Sequence, residues 1–145
     1  MTRVDFYVLQ KPAQQDRRHF ACRLAEKAVA QGSRVMIATG DSAESQAMDE
    51  LLWSFRPESF VAHTSAADTL EDIERAPVLI GHEGDDLNHH DLLINLRNDI
   101  PQNFSRFTRL AELVIQQDTV LEASRKHWAF YKSRGYQLAS HKIKG

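Results

Sequence analysis

Apolar residues along the chain follow two rhythms. Short continuous runs at 4–9 (VDFYVL), 33–39 (SRVMIAT), 77–81 (PVLIG), 91–96 (DLLINL) and 110–116 (LAELVIQ) are bounded by turn-forming or polar residues, and such runs predict buried strands. Between the first two, residues 14–31 carry Phe20, Leu24, Ala28 and Val29 near helical spacing, with Gly32 where a helix-terminating glycine belongs. Asp41 or Ser42 is placed to cap a second helix, whose apolar positions Ala47, Met48, Leu51, Leu52 and Phe55 run up to Pro57. Residues 59–62 (SFVA) predict a short edge strand and 104–107 a single helical turn. Asp118 or Thr119 is placed to cap a last helix over 120–134, closed by Gly135, and YQLASHKI predicts a final strand. Strands alternating with helices imply right-handed parallel units. The expected fold is α/β: a single three-layer domain over residues 1–145, with a mostly parallel mixed sheet and helices on both faces.

Composition narrows the class. A chain of 145 residues, 42% hydrophobic, suits one core and leaves little for a second. No run approaches the roughly 18–20 apolar residues of a membrane span, and the opening MTRVDFYVLQKP lacks the parts of a secretion signal, so a cytoplasmic location with no membrane partner is expected. The lone Cys22, in FACRLAEKAVA, reads as a thiol packed on an amphipathic helix. Charge is unevenly spread. Residues 121–145 hold six Lys or Arg against Glu122, a local net of +5, while the whole chain carries −2 and the remainder therefore −7. Residues 68–91 reverse the sign, with eight carboxylates and only Arg75. Such asymmetry points to partner recognition.

Catalytic and cofactor chemistry finds little support. The strand-to-helix turns LQKPAQQD and TGDSAES contain neither G-x-G-x-x-G nor a phosphate-cradling G-x-x-x-x-G-K-[ST] loop, so no nucleotide cofactor is expected. The segment GHEGDDLNHHD at 81–91 holds many metal-ligating side chains but no H-x-x-x-H or H-E-x-x-H spacing, and it reads as a solvated loop rather than a metal site. There is no G-x-S-x-G elbow, and no catalytic residue is proposed.

The terminal RKHWAFYKSRGYQL interleaves cations and aromatics. Helical period divides it into a mostly apolar stripe (Val120, Ala123, His127, Phe130, Tyr131) and a second stripe (Leu121, Arg125, Trp128, Lys132), with Arg134 at the helix end. By itself the second stripe is either a solvated face with one packed aromatic or a binding surface. Direct binding of single-stranded nucleic acid is one reading of it, with aromatics stacking on bases, although the −7 body opposes a polyanion.

Taken in order, VDFYVL, DELLWSFRPESFVAH, the pair PVLIG and DLLINL, NFSRFTRLAELV and RKHWAFYKSRGYQL resemble the chi subunit family of bacterial DNA polymerase III. The resemblance implies a single α/β domain without catalytic activity that acts as an adaptor in DNA replication. Its implied partners are the psi subunit of the clamp loader and the acidic, Phe-terminated C-terminal tail of single-stranded DNA-binding protein, so DNA is met only indirectly. It implies tail binding by Arg125 and Trp128. Tyr131 would wall an apolar slot with Trp128, and Lys132 and Arg134 would neutralise acids. Two positions depart from the family's pattern: Ala129 and Glu122 stand where it has lysines. Either Lys126, Lys132 or Arg134 supplies that charge from adjacent positions, or affinity is lower. Trp53 and Phe60 match the family's aromatic anchors for psi, a surface that in some bacteria also receives an iron-sulfur helicase.

Overall fold

The computed structural model describes residues 2–54, 63–65, 77–81 and 90–144; the side chains of Trp53 and of 63–65 lie outside that description. Among these residues seven strands form one sheet: β1 (Arg3–Leu9), β2 (Val35–Ala38), β3 (His63–Ser65), β4 (Val78–Gly81), β5 (Leu92–Asn95), β6 (Arg109–Val114) and β7 (Gln137–Ile143). Their order is β3-β4-β2-β5-β6-β1-β7, and all six pairings are parallel. The antiparallel member that a mixed sheet would contain is not among the described strands. Among the described residues, three helices flank the sheet: α1 (Gln14–Ala30), α2 (Ser42–Ser54) and α3 (Asp118–Ser133).

The central strands β2, β4 and β5 are buried at every position, as expected for a parallel sheet covered on both faces. One core lies beneath α1 and α2, with Cys22, Ile37, Met48, Leu52, Ile80 and Ile94; the other lies beneath α3, with Phe6, Leu79, Leu93, Leu110, Val120 and Tyr131. α1 presents Ala21, Cys22, Ala25 and Ala28 to the sheet, while Phe20, Leu24 and Val29 pack only at its flanks. Small side chains at the contact let helix and sheet approach closely, so the larger apolar residues fall to the rim. Burial, and secondarily Glu26, pushes the Cys22 thiol up to about 12, which leaves it an inert packing group.

Most turns and caps follow local chemistry. Asp41 caps α2 by accepting the Glu44 amide at 2.8 Å, and the Glu44 carboxylate returns to the Gly40 amide at 2.9 Å. Both α1 and α3 end in glycine at positive φ, Gly32 at 86° and Gly135 at 77°. α1 starts from Ala13 with no side-chain cap bond, and a further departure is the start of α3. It begins at Asp118, with Gln117 as an extended N-cap that makes no side-chain cap bond, instead of being capped by Asp118 or Thr119. Asp118 sits in the first turn, where its charge meets the positive end of the helix dipole. The helical turn at 104–107 is a 3-10 turn, Phe104–Arg106. The edge strand expected at 59–62 falls outside the described residues; the strand beside β4 is His63–Ser65.

Candidate functional site

Helix α3 connects β6 to β7 and lies over β1, the strand between them. Val120, His127 and Tyr131 form its buried line. Leu121, Arg125, Trp128 and Lys132 rise on one flank, and Ala123 and Phe130 on the other. Contacts fix which flank faces which strand. His127 reaches Glu112 on β6 and the Asn98 carbonyl beyond β5, and Phe130 packs on Phe104 at 6.1 Å. That flank therefore looks toward β5 and β6, and the Trp128 flank looks toward the outer strand β7.

Arg125 is exposed, and Lys132 is exposed two turns along the same flank. Trp128 is half-buried: its ring meets Phe6 of β1 edge-on at 5.1 Å, which holds the indole while leaving part of it to solvent. A guanidinium one turn from a rigid aromatic can take a carboxylate in two parallel hydrogen bonds while an apolar group lies against the ring. Lys126 pairs with Glu122 at 3.5 Å, so the acid standing where a cation was expected also occupies a neighbouring lysine.

Two expectations for this surface need correction. Tyr131 is 0% exposed and its hydroxyl donates to Glu112 at 2.7 Å, so it walls no surface slot. It anchors the helix from below and touches Phe6, on which Trp128 rests. Arg134 does not join the Arg125 stripe. Six residues beyond Trp128, it is about 120° away around the helix, and its guanidinium stacks 4.8 Å over Phe130 on the other flank. Of the five expected residues, the fold gathers Arg125, Trp128 and Lys132. For the second surface, Trp53 stands near the end of α2 with its side chain outside the described residues, and Phe60 lies wholly outside them.

A buried polar network under α3 escaped the sequence reading. Glu112, 4% exposed, accepts from Asn95 at 3.0 Å and Tyr131 at 2.7 Å and pairs with His127 Nδ1 at 2.9 Å, while His127 Nε2 faces the Asn98 carbonyl at 3.1 Å. Both imidazole nitrogens face acceptors, which only the imidazolium can satisfy with two N–H donors. Burial opposes that charge, but the hydrogen bond and charge of Glu112, helped by Asn98 and Asp99, prevail and raise the His127 pKa. The same burial, with the Glu112 charge, drives the Tyr131 pKa upward. Below the sheet Arg17 is also buried and donates to the Leu113 carbonyl at 2.9 Å. The available signals were polar residues in apolar settings: His127 on a helical stripe, and Glu112 and Asn95 within runs predicted to be buried strands.

Among the described residues no group of three or more His, Cys, Asp or Glu is arranged to hold a metal, and no helix is long and apolar enough to cross a membrane. Most of the His-rich segment, 82–89, is outside them. A cleft of about 530 Å³ opens at the carboxyl ends of β2, β4 and β5. Its Arg97 clasps Asp99 at 2.5 Å and donates to the Thr39 carbonyl at 3.0 Å, and Asp41 is engaged as a helix cap. Arg97, Asp99 and Asp41 are thus engaged in holding the fold.

Residues 1–139 match the family described as DNA polymerase III chi subunit, HolC. The chain belongs to this chi family. Among its relatives, the DNA polymerase III subunit chi of Pseudomonas aeruginosa is 42% identical over 143 residues, covering 99% of this chain and 98% of that one. The chi subunits of Escherichia coli and Haemophilus influenzae are 28% and 27% identical, each match covering 95% of this chain and respectively 96% and 95% of theirs. Among solved structures, one titled "Mss116p DEAD-box helicase domain 2 bound to an RNA duplex" superposes with a TM-score of 0.64 at 9% identity. That match covers 97% of this chain but 64% of the other, and at such low identity it speaks for a shared layered α/β fold alone. Membership in the chi family links the chain to DNA polymerase III and DNA replication.

Proposed function

We propose that this chi-family protein is a non-catalytic adaptor joining the clamp loader, through psi, to the acidic C-terminal tail of single-stranded DNA-binding protein. The observation that carries the tail-binding half is the exposed Arg125 one turn from the half-buried Trp128, on a helix pinned from below by Tyr131 and His127. Arg125 takes the terminal carboxylate, the Trp128 ring lies against the terminal phenyl group, and Lys132 offsets preceding acids. Pinning matters because binding to a rigid surface loses less entropy than binding to one that must first order. The +5 segment in a chain of net −2 favours an acidic peptide over a long polyanion, which would also meet the acidic body. Psi, or in its place an iron-sulfur helicase, is assigned to Trp53 and Phe60.

Titration of a labelled acidic peptide ending in Phe, a copy without the Phe, and a single-stranded oligonucleotide tests the reading. Binding should require the Phe and fall about 30-fold or more in Arg125→Ala, the loss of a hot spot worth about 2 kcal/mol. Tight oligonucleotide binding with no peptide binding would sink it. Separately, Trp53→Ala should abolish capture of psi while leaving peptide affinity unchanged; equal loss of both would mean that the substitution unfolds the protein.

A further inference from the structure

Strand β7 ends the sheet, and among the described residues its one strand neighbour is β1. Parallel strands point the N–H and C=O of alternate residues to the same side, so a seven-residue edge strand leaves about three residues' backbone groups facing outward. Proteins usually blunt such an edge by shortening it, bulging it, inserting proline, or placing charge, lysine above all, along it. β7 is neither short nor bulged and holds no proline: it pairs in unbroken register with β1 from Gln137 to Ile143. Its protection is charge, Lys142 on the strand and Lys144 just beyond. Those ammonium groups repel a second copy of the same strand and penalise an apolar one, but they complement an acidic strand.

Register connects this edge to α3. Val4, Phe6 and Val8 lie in or against the core beneath α3 and pair with Leu138, Ser140 and Lys142, so these three β7 side chains share the α3 side of the sheet. The Trp128 flank looks toward them. Leu121, Trp128 and Leu138 all pack against that core while remaining partly exposed; Arg125 and Lys132 are exposed on the same flank of α3, and Lys142 is exposed on β7. Edge and flank make one shelf with open backbone groups, an aromatic wall and cations.

We propose that the acidic segment preceding the tail's terminal Phe binds in extended form along β7, adding a strand to the sheet, while the Phe and carboxylate engage Trp128 and Arg125. This rests on the adaptor reading and adds the mode of binding. Main-chain pairing gives affinity that tolerates variation among acidic side chains, while the lysines select their charge. It also offsets the departures at Ala129 and Glu122, because β7 supplies cations that α3 lacks.

Two peptides test it, each with backbone N-methyl groups on alternate residues of the acidic segment, in opposite registers. A strand-paired peptide keeps its affinity in one register and loses it at least tenfold in the other, and outward β7 amides gain hydrogen-exchange protection when the unmodified peptide binds. Lys142→Glu should weaken binding several-fold without changing thermal stability. If both methylated peptides behave alike and β7 gains no protection, strand addition is wrong, even if the unmodified peptide still needs Arg125. If the unmodified peptide does not bind at all, the adaptor reading itself fails.

Discussion

At the residue scale, a buried group that holds α3 in place is His127. Its two ring nitrogens tie α3 to β6 and to the loop after β5, and both bonds are complete only in the imidazolium. Its folded pKa lies above 6.5, so its contribution to stability is full below that value and is lost as pH rises through the folded pKa. Thermal or urea unfolding should therefore show less stability at pH 8.5 than at pH 6, with a smaller difference in His127→Gln. The other groups that bear on it do not reverse the sign: Arg97 lowers the Asp99 pKa further below this window, and Tyr131 is pushed above it. Tyr131→Phe removes a hydrogen bond to a carboxylate and should cost about 1.5–3 kcal/mol in urea unfolding. Both substitutions should reduce peptide affinity less than Arg125→Ala, because they act on the seating of the helix.

At the element scale, the end of α3 is fixed by a paired carbonyl cap. The Tyr136 amide reaches the Tyr131 carbonyl and the Gly135 amide the Lys132 carbonyl, each at 3.1 Å, with Gly135 at φ 77°. The Tyr136 ring then sits 6.2 Å from Tyr131, the apolar contact usual beside such a cap. An added methyl at Gly135 would meet nothing within 4 Å, so Gly135→Ala isolates the backbone preference, and a loss of about 1 kcal/mol is expected in denaturant unfolding. Both terminating glycines were legible in the sequence because the left-handed requirement is local. The absent side-chain cap at Gln117 was not: where α3 begins depends on how the chain leaves β6, and Asp118 and Thr119 carry the same local preference whether they lie just outside the helix or just inside it. On α1, spacing marks Phe20, Leu24, Ala28 and Val29, and Cys22 is expected to pack; the close approach to the sheet gives full burial to Ala21, Cys22, Ala25 and Ala28, with Phe20, Leu24 and Val29 partly buried beside them.

At the scale of the whole molecule, a −7 body carries a +5 terminal segment made of α3 and β7, and both parts of that segment border one shelf. Peptide affinity should fall steeply between low and physiological salt, because the attraction arises from exposed charges. Single-stranded oligonucleotide should bind far more weakly at every salt concentration, measured in the same titration. The sequence by itself determined the alternation of strands and helices, the terminating glycines, the uneven charge and the family, since each is written in local pattern or in the order of segments along the chain. Only the tertiary structure decided that Tyr131 is buried, that Arg134 turns away over Phe130, that Glu112 and His127 meet beneath α3, and that β7 stands at the end of the sheet among the described strands. A helical period gives the angle of a side chain about its own axis but not which neighbour fills that direction. That depends on strand order, and beneath α3 strand order is set by the pairing of β1 with β6 and β7, strands at opposite ends of the chain.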